Sequence, residues 1–373
     1  MRRTLFKVHT WMALATCVPL LVVCLTGSVL MFKHEIDSLI MPEKVRVNSE
    51  LQSRLPLDTL RNRIAMAYPN YQPVGWALFL DPDRADLVYV IGHGRSEREY
   101  LLLNQYSGEV LAPPVEFDEY LTDWLLELHF TFLLNETGLA LSTLVSLVFC
   151  ALGVSGLILY RQFWVQFFTL RWGKSKRVYF SDVHKMVGVV GTPVFIVLAV
   201  TGGYWNVLHL VHEVQEHLAG EEHHVMQGPL VGRGVSLDTL YQQSQVRVAG
   251  FNPTYISLPS EPGSSIRFFG DVPQGNPLLS QYASHVAFDG QDGVYLEVED
   301  VRTEGFLHKL DDSARRLHFG DFAGIWSRVF WCVIGILPLL LSITGLYLWW
   351  QRKIKKRLSK RKRVLRAAVV SEI

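Results

Sequence analysis

Apolar and polar positions are distributed very unevenly along this chain. Four runs, Thr10 to Phe32, Thr137 to Tyr160, Met186 to Leu208 and Val329 to Trp350, contain no Asp, Glu, Lys or Arg. At about 1.5 Å per residue, each is long enough to cross a hydrocarbon core of about 30 Å. The pattern predicts four transmembrane helices. Between them the periodicity shortens. In the first intervening segment a helix is expected over Leu57 to Ala67, stopped by Tyr68-Pro69-Asn70. Strands follow near Val74 to Leu80, Leu87 to Ile91 and Tyr100 to Leu103, with a turn at Ser107-Gly108. In the second, a helix over Leu237 to Val248 precedes a break at Gly250-Phe251-Asn252-Pro253. Strands are then expected near Tyr255 to Leu258, Ser265 to Phe269, Ser284 to Phe288 and Val294 to Val298, and an amphipathic approach, Val301 to Phe319, leads to the last span.

The chain also resembles itself. Val8-His9 matches Val183-His184, and a Thr-Gly pair follows each His at the same spacing, at Thr26-Gly27 and Thr201-Gly202. His34 and His209 fall at equal distance beyond. Leu-Asp-Thr-Leu occurs at 57–60 and again at 237–240. Leu128-His129-Phe130 matches Leu317-His318-Phe319, and Ser155-Gly156 and Thr344-Gly345 follow the respective His at one common spacing. The expected fold is therefore an integral membrane protein of four transmembrane helices in a parallel internal repeat: helix, outer α+β domain, helix, twice over. Its boundaries are helix 1–33, outer domain 34–128, helix 129–161, loop 162–183, helix 184–208, outer domain 209–317, helix 318–351 and a basic tail 352–373.

Charge orients this arrangement. The overall formal charge is only +1, but 19 Lys and Arg, with Asp182 and Glu372 the sole acids, lie before the first run, between the second and third, and after the fourth. By the positive-inside rule both termini and the 162–183 loop are cytoplasmic. The two outer segments carry 17 basic against 33 acidic residues. A nucleic-acid partner is disfavoured, since topology already accounts for the basic groups. The first run is too long for a secretory signal and lacks a small-residue cleavage site, so it is expected to be retained. All four cysteines lie inside runs, which excludes disulfides, C-x-x-C metal sites and covalent C-x-x-C-H haem attachment.

Thirteen histidines remain to be explained, and six form repeat-related pairs: His9 with His184, His129 with His318, and His34 with His209. Two imidazoles that meet across a pseudo-twofold axis can occupy both axial positions of a haem iron. His9 and His184 start spans at the cytoplasmic end. His129 and His318 precede spans on the outer side, too far from Ser155-Gly156 and Thr344-Gly345 for one helix within the bilayer core, so a short separate helix is expected for each. His34 and His209 are the reserve pair. The glycines near these positions suit close helix packing as well as a flat macrocycle. The His-rich stretch 209–224 could place His209, His212, Glu213 and Glu216 on one helical face as a metal site, although a solvated extension of the third span explains the same pattern and is the preferred reading. No dinucleotide, hydrolase or metalloprotease motif is present, so electrons would come from a quinol or a separate cytoplasmic reductase.

The pattern His9…Thr26-Gly27…His34-Glu35, Tyr106-Ser107-Gly108-Glu109-Val110-Leu111, Leu128-His129, His184…Thr201-Gly202 and Leu317-His318-Phe319-Gly320…Thr344-Gly345-Leu346…Trp349-Trp350 resembles the PepSY-associated transmembrane family, and within it the siderophore (ferrioxamine) reductases. Ala13 departs from a Gly common in the family, which Gly188 keeps. The resemblance implies two PepSY-like periplasmic domains in a bacterial inner-membrane protein. It implies two haem b groups with His9, His184, His129 and His318 as iron ligands, and an oxidoreductase that reduces a ferric siderophore and releases Fe(II) during iron uptake. The alternatives are a non-redox membrane anchor that binds or restrains a periplasmic peptide or peptidase, and a metal permease.

Overall fold

The computed structural model describes residues 2–49, 53–162, 165, 169–219 and 224–371. In chain order its main elements are α1 (Arg2–Leu30), α2 (Lys33–Ile40), α3 (Pro42–Val45), α4 (Leu57–Ala67), β1 (Tyr71–Ala77), β2 (Asp86–Gly92), β3 (Arg98–Leu103), β4 (Val110–Val115), α5 (Leu121–Thr131) and α6 (Asn135–Leu159), then α7 (Lys176–Ala219), α8 (Leu237–Arg247), β5 (Asn252–Ser257), β6 (Ile266–Asp271), β7 (Ser284–Phe288), β8 (Tyr295–Glu299), α9 (Phe306–Phe319) and α10 (Gly324–Ser371). They form two compact units. One comprises Met1–Met31, Leu128–Val211 and Ile325–Ile373; the other comprises Phe32–Glu127 and His212–Gly324.

Among the described residues four helices are long and apolar enough to cross a membrane, α1, α6, Lys176–Gln215 of α7 and Gly324–Ser359 of α10, and nearly all of their length lies in the first unit. Large apolar side chains such as Val18, Leu147, Val200 and Ile343 are exposed on their outer faces, as lipid contact requires. Inside, Val194, Phe195 and Ile334 form a buried cluster with Phe149, Leu198 and Trp331. Polar groups within the bundle are satisfied locally. Asn206 donates to Ser142 Oγ at 2.9 Å, and Arg328 Nε donates to the Met31 carbonyl at 3.0 Å, near the end of α1. The corner that leads into α6 is tight. Phe132, Leu133 and Asn135 adopt left-handed φ of 53°, 61° and 51°. Gly138 lets the Thr131 carbonyl approach so closely that a Cβ there would sit 1.5 Å from the oxygen. Side chains rarely accept such backbone, so the corner sets one direction in which the chain enters the span.

The second unit is built on one antiparallel sheet of order β4-β3-β2-β1-β5-β6-β7-β8. Its middle is the β1–β5 pair, with Gly75 opposite Ser257, Trp76 opposite Ile256 and Ala77 opposite Tyr255. The two outer segments therefore share a sheet and a core, whereas the sequence pattern suggests two α+β domains. Each segment's first strand would otherwise be an open edge, and pairing β1 with β5 removes both edges at once. The shared core includes Leu60, Ile64, Trp76, Leu101, Ile256, Phe268 and Phe288, with Leu237 and Leu240 of α8.

The repeated Leu-Asp-Thr-Leu motif has a concrete role in this core. Asp238 accepts the Leu57 and Asp58 backbone N–H groups at 2.7 and 3.0 Å. Asp58 in return accepts those of Leu237 and Asp238 at 3.1 and 3.4 Å. Each helix thus caps the N-terminus of the other, where unpaired amides and the positive end of the helix dipole favour a carboxylate.

Three local features depart from the sequence pattern. Strand β4 is not among the expected strands; its Pro113-Pro114 pair is tolerated because β4 is an edge. Residues Val301 to Gly305 turn rather than extend the helix, because the Val301 side chain is fully buried and its N–H donates to Ser284 Oγ. Helices α2 and α3 are too short for a readable periodicity.

Candidate functional site

His9 lies in the first third of α1 and His184 in that of α7. Both rings are half-buried, and His184 lies within electrostatic reach of His9. Each is gripped through Nδ1 by a hydroxyl from another span: His9 by Ser155 of α6 at 2.7 Å, His184 by Thr344 of α10 at 2.8 Å. Ser155 Oγ donates to the Leu152 carbonyl at 3.2 Å, and Thr344 Oγ1 to the Leu340 carbonyl at 2.8 Å. A hydroxyl has one hydrogen, so where it is spent on the carbonyl of its own helix the oxygen accepts from the imidazole. In that tautomer Nδ1 carries the ring proton and Nε2, which has no hydrogen-bond partner in either residue among the described residues, carries the lone pair. A neutral imidazole oriented through its other nitrogen is the usual form of a histidine metal ligand.

His129 sits on α5, a short helix that ends before the span begins. Its Nδ1 is 2.9 Å from the Val23 carbonyl and 3.1 Å from Thr26 Oγ1. A carbonyl only accepts, so this ring too carries its proton on Nδ1. Glycine provides the space: a Cβ on Gly27 would lie 2.7 Å from His129 Cε1. The same pairing recurs more loosely where Gly345 faces His184 Cε1 at 3.4 Å and Gly156 faces His9 Cε1 at 3.7 Å. Since α1 contributes His9 near one end and Thr26 near the other, the two sites are about 25 Å apart along the helix.

His318 also lies on a short separate helix, α9, and belongs to the sheet-bearing unit. Its ring packs edge-on to Phe319 at 6.0 Å between centroids, and α9 ends immediately afterwards at Gly320, in the left-handed region. The reserve histidines have different surroundings. His209 meets the Phe130 ring edge-on at 5.5 Å in the membrane unit. His34, in the sheet-bearing unit, lies with Nε2 3.6 Å from Asp81. Burial and then Arg84 hold the His34 imidazole below its ordinary pKa, against the pull of Asp81. In the His-rich stretch, α7 continues to Ala219, so the extended-helix reading fits this part. His223 and the Glu216 and His217 side chains lie outside what is described, and no donor cluster forms among the described residues there.

The hydroxyls of Thr26, Ser155 and Thr344 are the participants that sequence reasoning misses. Each precedes a repeated glycine, which is a signal, but by itself that pair marks only the repeat and a packing position.

Residues 6–352 match the PepSY-associated TM region, and the chain belongs to that family. It is also similar to PA4219, an uncharacterized protein of Pseudomonas aeruginosa, at 25% identity over 252 residues. That match covers 62% of this chain and 64% of the relative's length.

Proposed function

We propose that this protein is an inner-membrane dihaem reductase that carries electrons across the bilayer to a ferric siderophore in the periplasm. The observation that carries the reading is a shared grip: His9 and His184 come from different spans, and Nδ1 of each lies against a hydroxyl that also bonds its own helix, which leaves Nε2 for a ligand. This donor set fits haem iron, and His9 and His184 would together hold one haem. His129, whose Nδ1 donates to the Val23 carbonyl, would hold the second haem. Haem b, when bound, supplies a one-electron ferrous–ferric couple. The chain's own residues hold and orient the ligands and leave room beside each ring through Gly27, Gly156 and Gly345. An electron from a quinol or a cytoplasmic reductase converts chelated Fe(III) to Fe(II), whose lower charge binds hard oxygen donors less tightly. Both termini are then cytoplasmic, the outer segments are periplasmic PepSY-like domains, and within the family the chain stands with the siderophore reductases.

The test is the absorbance of the purified, detergent-solubilised protein. A Soret band that shifts on dithionite reduction is expected, with one haem lost in His9→Ala or His184→Ala and the other in His129→Ala or His318→Ala. Protein that binds no haem sinks the proposal. A second reading, a non-redox anchor for a periplasmic peptide, is favoured by one observation: edge strand β8 exposes Leu296 and Val298, a surface to which an extended peptide can add as a ninth strand. Peptide binding without a Soret band would select it.

A further inference from the structure

Away from the spans, the turn between β8 and α9 gathers histidine and carboxylate groups that the proposed electron path does not use. Glu299 ends β8, Glu304 lies in the turn, and His308 falls in the first turn of α9. One donor atom from each lies within 4.8 Å of the other two, and His308 Nε2 is 2.9 Å from Glu299 Oε1. A second imidazole, His285 of β7, places Nδ1 3.5 Å from the other oxygen of Glu299.

This arrangement is held from outside. Val301 is fully buried, Arg302 pairs with Asp300 at 2.6 Å, and Thr303 N–H donates to the Asp300 carbonyl at 2.9 Å. The turn that carries Glu304 is therefore fixed between β8 and α9, and the three donors are presented together without a rearrangement. All three are half-buried, which leaves a path for a hydrated ion.

We infer that Glu299, Glu304 and His308 form a site for a divalent first-row transition-metal ion, with His285 orienting Glu299 from behind. The imidazole nitrogen argues against Ca²⁺ and Mg²⁺, which prefer all-oxygen shells. Two carboxylates with one or two imidazoles suit Zn²⁺, Co²⁺, Mn²⁺ or Fe²⁺ instead, with water completing the shell. Under the proposed function the ion produced outside the membrane is Fe²⁺, which this site would hold; metal binding itself does not depend on that reading.

The experiment uses the full chain in detergent, stripped with chelator, desalted and titrated with CoCl₂ by visible absorption and with ZnCl₂ by calorimetry. One site is expected whose dissociation constant rises at least tenfold in His308→Ala and in Glu304→Gln, and by about tenfold in His285→Ala, the usual cost of losing a group that orients a ligand. Glu304→Gln sits in a half-buried turn and keeps the fold if His308→Ala does not. His212→Ala, in the other histidine-rich stretch, should leave this site intact. Unchanged Co²⁺ affinity in Glu304→Gln, or displacement of Co²⁺ by equal Ca²⁺, overturns the inference. The haem spectrum of the same samples reports separately on the proposed function.

Discussion

Replacing Ser155 by alanine isolates the step on which the proposed function rests. Ser155 is 5% exposed, and in the tautomer proposed above its hydroxyl accepts from the Nδ1 N–H of His9 at 2.7 Å. Without it, that N–H is left unsatisfied among apolar span residues, at a cost of about 1–3 kcal/mol. The cost falls on the oriented, ligating form of the ring, so haem affinity at this site should fall roughly 5- to 150-fold, at about 1.4 kcal/mol per factor of ten. Losing the acceptor also makes His9 a poorer donor, and the midpoint potential of that haem should rise. The assay is haemin titration of the apoprotein, followed by a spectroscopic redox titration of the reconstituted sample. Ser155→Thr restores the acceptor and should restore both affinity and potential; a merely structural role for Ser155 would not move the potential. The reasoning is refuted if Ser155→Ala binds haem within threefold of the parent at an unchanged potential.

Alanine at Gly27, Gly345 and Gly156 should act in the order of their clearances to the imidazoles, 2.7, 3.4 and 3.7 Å; Gly27→Ala should perturb the low-spin haem signal assigned to His129 while Gly156→Ala leaves its own nearly unchanged, as read by electron paramagnetic resonance. Asp238→Ala removes two caps from α4 and should cost about 1–2 kcal/mol, seen as a fall of about 2–8 °C in the melting of the sheet-bearing unit. Although burial pushes the Asp58 carboxyl upward, hydrogen bonds from Ser236, Leu237 and Asp238, with Arg61, hold it below its ordinary value. Its stabilisation is therefore fully present above the unfolded carboxylate pKa of about 4 and is lost as pH falls through the lower folded value. Asp58→Asn should flatten that acid limb of a melting-versus-pH profile, and an unaltered limb would contradict the assignment.

The spans are legible because uncharged runs of such length are hard to place anywhere except in a bilayer. The placement of His129 and His318 on short separate helices is legible from length alone, since the stretch from each His to its Ser-Gly or Thr-Gly pair overruns the hydrocarbon core. The hydroxyl grips are hidden for a physical reason. Ser and Thr inside helices usually bond a carbonyl of their own helix, and Thr26, Ser155 and Thr344 all do so. Only the second bond, to a ring on another element, gives them a role, and no local pattern encodes it. The joining of β1 to β5 is invisible in the same way: alternation shows that a strand forms and which face it buries, while its neighbour is chosen by whatever other edge is available. The reciprocal caps show both sides of this. The repeated Leu-Asp-Thr-Leu motif announces two like helices, yet not that Asp58 and Asp238 serve each other's backbone.

The β1–β5 seam also bears on how such a chain could have arisen. Cut between the halves, each fragment would keep three strand pairings and lose the fourth, with an open edge of seven residues at β1 or six at β5 and a helix start lacking its carboxylate. Two copies of one half could repair both defects by pairing first strand with first strand and trading aspartates. A single-copy ancestor is therefore expected to have been a homodimer, and duplication followed by fusion would have converted its intersubunit contact into the centre of the present sheet.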